Sequence, residues 1–333
     1  MQLGQHPEAS HVVAHLSDPH LLAGDARLYG EVDSTRRLAA TLEQLERSAV
    51  RPDAIVFTGD LADLGEEAAY IRLRELVEPV AARLDARLVW VMGNHDEREP
   101  YARVLFDEPG GGVRAQDRVV EVRGLRIVSL DTSVPGYHHG ALDPEQLAWL
   151  REALATRAEH GTLVALHHPP IPAPLTPAMA ILELEDQDAL AAAIEGSDVR
   201  GILGGHLHYS THSTFAGVPV SVASASCYTL AVGRADTLLG GYDAFQAFDA
   251  VHVYPDRVVH TTVPLGEPQL VTGYPGAALE RIAAIPADQR RAVFSRKSSG
   301  FSIAEMLGAG PDAAARAQAA VEAELAALAQ REE

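Results

Sequence analysis

The chain has 333 residues, 47% hydrophobic and 22% charged, and its 46 acidic against 27 basic side chains leave a formal charge of −19. That size and apolar fraction suit one large α/β domain or two small ones, while the acidic excess excludes a broad nucleic-acid surface, which needs clustered Lys and Arg to neutralise phosphates. The single cysteine, Cys227, rules out an intrachain disulfide and a thiolate-rich metal site, and both fit a reducing cytoplasm. An anionic substrate would then need a local positive charge, which a metal centre can supply.

Met1 to Ser10 lacks the basic n-region and apolar core of a signal peptide. No apolar run approaches the ~20 residues that span a bilayer. A cytoplasmic protein is expected, with peripheral attachment to an envelope left open.

His11 to Leu16 reads as the first strand, followed by Ser17-Asp18-Pro19-His20. Proline cannot continue a central strand, so Asp18 and His20 leave on a turn and can converge on one point. Asp33 or Ser34 offers the N-cap of a helix with Leu38, Leu42 and Leu45 on its apolar face, ending before Arg51-Pro52. Ala54 to Phe57 reads as a buried parallel strand that delivers Thr58-Gly59-Asp60-Leu61-Ala62-Asp63. A second helix, about Glu66 to Leu84, turns Tyr70, Leu73, Leu76 or Val77, and Val80 inward, with Pro79 as the place for a kink. The strand Leu88 to Met92 then delivers Gly93-Asn94-His95-Asp96, and a short helix follows around Glu97 to Phe106. This alternation is the arithmetic of βαβ units.

Asp107 to Ala115 reads as a glycine-rich loop, and Val119 to Val122 with Leu125 to Leu130 as a hairpin that brings antiparallel character to the sheet. Asp131 to Gly140 is a loop with His138 and His139 at its tip. Asp143 as N-cap, Pro144 at the first helical position and Gln146 three residues after the cap mark a helix start, with Leu147, Leu150 and Leu154 on one face. Leu163 to Leu166 is another buried strand, ending in His167-His168-Pro169-Pro170. The proline-rich continuation to Pro177 cannot be helical and is expected to form a lip beside the site. A helix from about Asp186 to Ile194 leads to the strand Val199 to Leu203, which delivers Gly204-Gly205-His206-Leu207-His208. Alternating runs at Val218 to Ala223, Ala250 to Tyr254 and Arg257 to Val263 predict antiparallel strands of a second sheet. Beyond about Gly266 the pattern weakens, and Pro311 to Glu333, with Val321, Leu325 and Leu328 at helical spacing, predicts a marginally amphipathic terminal helix. A solvated tail is the plainer expectation for it, a docking or dimerisation element the other.

The strand-end residues Asp18, His20, Asp60, Asn94, His167, His206 and His208 are all oxygen or imidazole donors. Such a set suits iron, manganese, zinc, cobalt or nickel and argues against copper(I) or iron–sulfur chemistry. It exceeds what one first-row ion with open positions accepts, so two ions sharing a ligand fit better, with Asp60 as the natural bridge, one oxygen on each. A ligating imidazole usually donates its other N–H to a carboxylate or carbonyl, and Asp63 and Asp96 are the nearest candidates. Each cluster alone has a plainer reading: a turn with a surface histidine, an αL turn, or a strand with one core histidine. Their joint appearance, each after its own strand, outweighs those readings.

Asp-x-His, Gly-Asp-x-x-Asp, Gly-Asn-His-Asp, a later strand-end His and Gly-His-x-His, spread over about His11 to Val263, resemble the signature of the calcineurin-like metallophosphoesterases. Arg27-Leu28-Tyr29-Gly30, Thr132-Ser133-Val134-Pro135-Gly136 and His206 to Ser210 look most like class III cyclic nucleotide phosphodiesterases. The resemblance implies an α/β sandwich of two mixed β-sheets flanked by helices, in the order α/β/β/α, as a catalytic domain over residues 1–265. Nothing carries over to 266–333, expected as a partly helical extension.

The resemblance further implies that Asp18, His20 and His208 hold one metal, often iron, that Asn94, His167 and His206 hold the second, often manganese, and that Asp60 bridges; zinc, cobalt or nickel are alternatives. His95 stands where the family keeps the histidine facing the scissile phosphate, so it is the expected catalytic residue and, with Asn94, a substrate contact. Paired ions bring the pKa of a bound water toward ~7 and make hydroxide available for in-line attack, while protonated His95 would stabilise the developing charge or protonate the leaving alkoxide. His139 is the candidate phosphate or substrate contact, with His138 second to it, and His168 is expected as a buried structural histidine. The implied activity is hydrolysis of 3′,5′-cyclic nucleotides, cAMP to 5′-AMP. A broad-specificity or glycerophosphodiester phosphodiesterase needs the same metal core and is the alternative. A scaffold protein on the same fold is the non-enzyme alternative, marked by lost ligands, and none is missing. A homodimer is expected by analogy, and a nucleic-acid polymer is not expected as substrate.

Overall fold

The computed structural model describes residues 4–234, 236–266 and 278–295, with isolated positions elsewhere after 266. Residues 9–266 form one unit; the residues before Ala9 and after Gly266 form another. In chain order the larger unit runs β1 (His11–Leu16), α1 (Ser34–Arg47), β2 (Ala54–Thr58), α2 (Glu67–Leu84), β3 (Arg87–Val91), α3 (Arg98–Phe106), β4 (Arg118–Val122), β5 (Leu125–Leu130), α4 (Pro144–Ala153), β6 (Thr162–Leu166), α5 (Gln187–Ile194), β7 (Val199–Gly204), β8 (Thr211–Phe215), β9 (Val218–Val222), β10 (Thr229–Leu230), β11 (Gly241–Tyr242), β12 (Ala247–Val253) and β13 (Val258–Pro264). The smaller unit contains α6 (Ala278–Ala284) and α7 (Ala287–Ser295). The stripe of Val321, Leu325 and Leu328 lies outside the described residues.

Local chemistry accounts for the helix starts. Asp33 caps α1 by accepting from the Arg36 amide at 2.9 Å. Asp143 and Gln146 close a reciprocal capping box at the start of α4, with Pro144 where its missing N–H loses nothing. Helix α2 runs through Pro79 and buries Tyr70, Leu73, Val77 and Val80, while Leu76 packs at the margin.

One sheet has the order β13-β12-β1-β2-β3, with β1, β2 and β3 parallel. The other has the order β4-β5-β6-β7-β9-β8, with β5, β6, β7 and β9 parallel and β4 and β8 as antiparallel edges. Val13, Val56, Val89 and Val91 of the first sheet meet Ile127, Leu163, Ala165 and Leu203 of the second in one buried layer. Helices α1 to α3 cover the outer face of the first sheet, and α4 and α5 that of the second. The architecture is therefore α/β/β/α. Central strands such as β2, β5 and β6 are buried along their whole length because both faces are covered, and their sequences are mostly apolar.

The structure corrects the expected placement of the late strands. β12 and β13, which take in most of the runs at Ala250 to Tyr254 and Arg257 to Val263, join the first sheet, where β12 pairs antiparallel with β1. Alternation marks a half-buried strand but carries no record of which edge it joins, and β1 had one edge open. The run at Val218 to Ala223 does lie in the second sheet, yet pairs parallel with β7 as well as antiparallel with β8. β8 itself, exposed or half-exposed at every position, gave no periodic signal. The proline-rich stretch stays non-helical only to Thr176; Pro177 opens a 3₁₀ turn that continues to Leu182.

Leu73 is fully buried between α2 and the first sheet. Leu73→Ala should lower stability by about 2–5 kcal/mol; urea unfolding should show an earlier midpoint with an unchanged slope.

Candidate functional site

Five of the parallel strands, drawn from both sheets, end at one edge and release donors there. Asp18 and His20 follow β1, Asp60 follows β2, Asn94 and His95 follow β3, His167 follows β6, and His206 and His208 follow β7. The chain turns sharply as it leaves the sheet: Asp18 (φ 50°), His20 (φ 44°), Asp60 (φ 49°), His206 (φ 69°) and His208 (φ 55°) are all left-handed. Non-glycine residues avoid that region, and its concentration at one edge is strain of the kind held at functional sites. Two motif glycines are required by close approach. A Cβ on Gly93 would stand 2.8 Å from Asp60 Cγ, and one on Gly59, itself at φ 96°, would stand 2.7 Å from His167 Cγ.

The candidate ligands converge. Asp18, His20, Asp60 and His208 place donor atoms within 4.8 Å of one another. His208 Nε2 lies 3.4 Å from Asp18 Oδ1 and 3.2 Å from His20 Nε2. On the other side, His167 Nε2 lies 3.1 Å from Asn94 Oδ1, and the His167 and His206 rings are 5.0 Å apart. Asp60 stands between the two groups, its Oδ2 at 3.3 Å from His20 Nε2 and 3.4 Å from His167 Nε2. Its Oδ1 accepts the His95 backbone N–H at 2.9 Å. One carboxylate oxygen therefore faces both groups, where the sequence led us to expect one oxygen for each; the tight turn after β3 occupies the second.

These residues fit a pair of cations. His20 Nδ1 is held by Asp63 at 2.9 Å, His167 Nδ1 by the Thr58 carbonyl at 2.7 Å and His208 Nδ1 by the Tyr228 carbonyl at 3.1 Å, which leaves each Nε2 for the site. His206 Nε2 is buried and has no hydrogen-bond partner among the described residues. A buried nitrogen without a partner is costly unless something occupies its lone pair.

Around this centre, Asp63 supports His20 as expected, and its backbone carbonyl accepts His95 Nδ1–H at 2.9 Å. Asp96 differs from expectation. Among the described residues it takes no imidazole; it accepts the backbone N–H groups of Leu61, Ala62 and Gly93 at 2.9–3.0 Å and the Tyr70 hydroxyl at 2.8 Å. It thus ties the loop after β2 to the loop after β3. His168 is buried with Nδ1 on the Thr132 hydroxyl at 2.8 Å and Nε2 on the His138 carbonyl at 3.1 Å, so it braces the 131–140 loop.

That bracing brings His138, not His139, to the site. His138 Nδ1 meets Asn94 Nδ2 at 2.9 Å, and its ring lies 5.2 Å from that of His95. His139 packs against Tyr137 and lies 3.7 Å from Glu185. The histidines are adjacent, and only the loop conformation decides between them. A cavity of about 600 Å³ opens over His20, Asp60, Asn94, His95, His206 and His208, and Met179 and Leu182 of the 3₁₀ turn line it as the expected lip. Tyr29, Tyr228 and Tyr242 also line it. Local pattern did not mark Tyr228 or Tyr242, since a lining role far along the chain has no local signature.

Electrostatics follow the carboxylates. Burial works against charging His167 and His208, but Asp60 outweighs it at His167, raising the pKa to about 9, and Asp18 does so at His208, raising it to about 10. Protons and cations therefore compete for the same nitrogens.

A family model described as calcineurin-like phosphoesterase matches residues 11–210. The chain is 55% identical over 285 residues to a cAMP/cGMP dual specificity phosphodiesterase of Mycobacterium tuberculosis, covering 85% of this chain and 89% of that one. It is 34% identical over 234 residues to a 3′,5′-cyclic adenosine monophosphate phosphodiesterase of Pseudomonas aeruginosa, covering 70% and 82%. Among solved structures it resembles a dimetal phosphatase from Danio rerio, with a TM-score of 0.55 and 16% identity over 78% of this chain and 97% of that one, a likeness of fold.

Because the imidazoles must lose a proton to ligate, metal uptake should release protons, and apparent affinity should rise with pH between about 6 and 8, below the raised pKa values of His167 and His208. Calorimetric titration with manganese in buffers of different ionisation enthalpy reads the release. Buffer-independent heats would contradict it.

Proposed function

Since the chain belongs to the calcineurin-like phosphoesterase family, we propose that it is a metal-dependent phosphodiesterase hydrolysing 3′,5′-cyclic nucleotides, with cAMP opened to 5′-AMP. The observation that carries the reading is the pair of donor groups joined by Asp60 at a cavity large enough for a nucleotide. The activity named for the relative at 55% identity supports the choice of substrate.

Asp18, His20 and His208 would hold one cation and Asn94, His167 and His206 the other, with Asp60 shared. Iron and manganese are the ions we propose, with zinc, cobalt and nickel as alternatives suited to the same donors. Two cations held there supply Lewis acidity, lowering the pKa of water and offsetting charge on phosphoryl oxygens. The chain's own groups do the rest. Asn94 is oriented by His138, so its carbonyl oxygen turns toward His167. His95 presents Nε2, because Nδ1 is held by the Asp63 carbonyl. From there it can stabilise charge on the phosphoryl group or give a proton to the departing ribose oxygen. His138 takes the substrate-contact role expected of His139. Every residue invoked lies within the unit 9–266, and a catalytic domain over 1–265 is part of the proposal.

Among the described residues no helix is long and apolar enough to cross a membrane. A cytoplasmic site of action and a homodimer belong to the proposal. Sedimentation at micromolar concentration should show a dimer, and a single monomeric species would remove that part.

The manganese-loaded protein should turn over 3′,5′-cAMP to 5′-AMP, and Asn94→Ala should reduce the rate by about 100-fold. If another diester in a panel with 2′,3′-cyclic AMP and glycerophosphocholine is preferred by ~100-fold and the variant still fails, the site reading stands and the substrate reading falls.

A further inference from the structure

The cavity is larger than a phosphate requires, and one side of it is aromatic. At about 600 Å³ it falls in the range that encloses a whole small ligand. A run of rings leads outward from the metal-ligand residues. The Tyr228 ring lies 4.5 Å from that of His208, and the Tyr29 ring lies 5.5 Å from Tyr228 at an interplanar angle of 76°. The two tyrosine hydroxyls meet at 3.2 Å.

Packing alone does not explain Tyr29. Its side chain is 73% exposed, whereas the adjacent Leu28 is 2% exposed in a small cluster with Leu22, Val32, Ala225 and Cys227. Its φ of 54° puts a bulky aromatic residue in the left-handed region, where a tyrosine is disfavoured. The buried cluster anchors the loop, and the strained residue holds its ring at the cavity. Strain kept by its surroundings at the edge of a site points to use rather than accident.

This inference rests on the phosphodiesterase reading above. We propose that Tyr29 is the platform on which the nucleobase of the substrate stacks while its phosphate lies at the metal-ligand residues, with Tyr228 bracing the platform. The contact separates nucleotides from diesters that carry no base. Every nucleobase has a flat π-face, and stacking on an aromatic side chain is tolerant of which base it is. Adenine and guanine are thus held alike, and selectivity for a base-bearing diester arises away from the metal residues.

The test uses the manganese-loaded full chain and two ligands that share a phosphate but not a base, 5′-AMP and inorganic phosphate, with binding measured by calorimetry. Tyr29→Ala should weaken 5′-AMP about 10-fold and leave phosphate within about 2-fold. Tyr29→Phe keeps the ring and should stay near the wild type for both. Unchanged 5′-AMP binding in Tyr29→Ala, an equal loss for phosphate, or an equal loss in Tyr29→Phe overturns the platform, the last by assigning the effect to the hydroxyl pair. Wild-type binding of 5′-AMP no tighter than phosphate overturns it as well. Turnover of cAMP in the same wild-type sample is read separately, so a failure of the phosphodiesterase reading is told apart from a failure of the platform.

Discussion

Two buried carboxylates set the terms for this structure. Asp18 and Asp60 are 0% and 2% exposed, and the ion-pair partners found for them among the described residues are imidazoles. A carboxylate taken out of water is strongly unfavourable unless it is paired and hydrogen-bonded. Backbone amides answer part of that demand: His206 N–H for Asp18 and His95 N–H for Asp60. Imidazoles answer another part, and a cation site is the arrangement that satisfies the carboxylates and the bare His206 Nε2 together.

Satisfying that demand dictates much of the rest. The donors come from several strands, so both sheets must end their parallel strands at one edge, and the sandwich holds them there through a dry layer of small branched side chains. The loops must then approach more closely than ordinary side chains permit, hence glycine at 59 and 93. Asp96, collecting three backbone amides and the Tyr70 hydroxyl, joins two of these loops to each other and to α2. Left-handed aspartates and histidines are unfavourable for stability and are maintained by this surrounding order, the usual relation between a strained site and its scaffold.

The acidic chain gains from the same device. With a formal charge of −19 its general field repels a phosphodiester. Two cations at the sheet edge would reverse that field locally, and an aromatic wall that stacks a base, as proposed, would add attraction that charge does not oppose.

Residue order alone accounts for those parts of the protein that depend on neighbours along the chain. Asp33 and Asp143 announced their helices through capping, apolar runs marked the central strands, and Gly-Asp, Gly-Asn-His-Asp and Gly-His-Leu-His named the residues that the fold brings together. Tertiary structure alone decided what depends on distant partners. It placed β12 against β1, because alternation does not encode an edge. It turned His138 rather than His139 to the cavity, because His168 holds the His138 carbonyl from another strand. It gave Asp96 to backbone amides and left one oxygen of Asp60 to face both donor groups, because those outcomes follow from how two loops meet in space. Local pattern specifies which side chains are available; packing specifies the direction in which each one points.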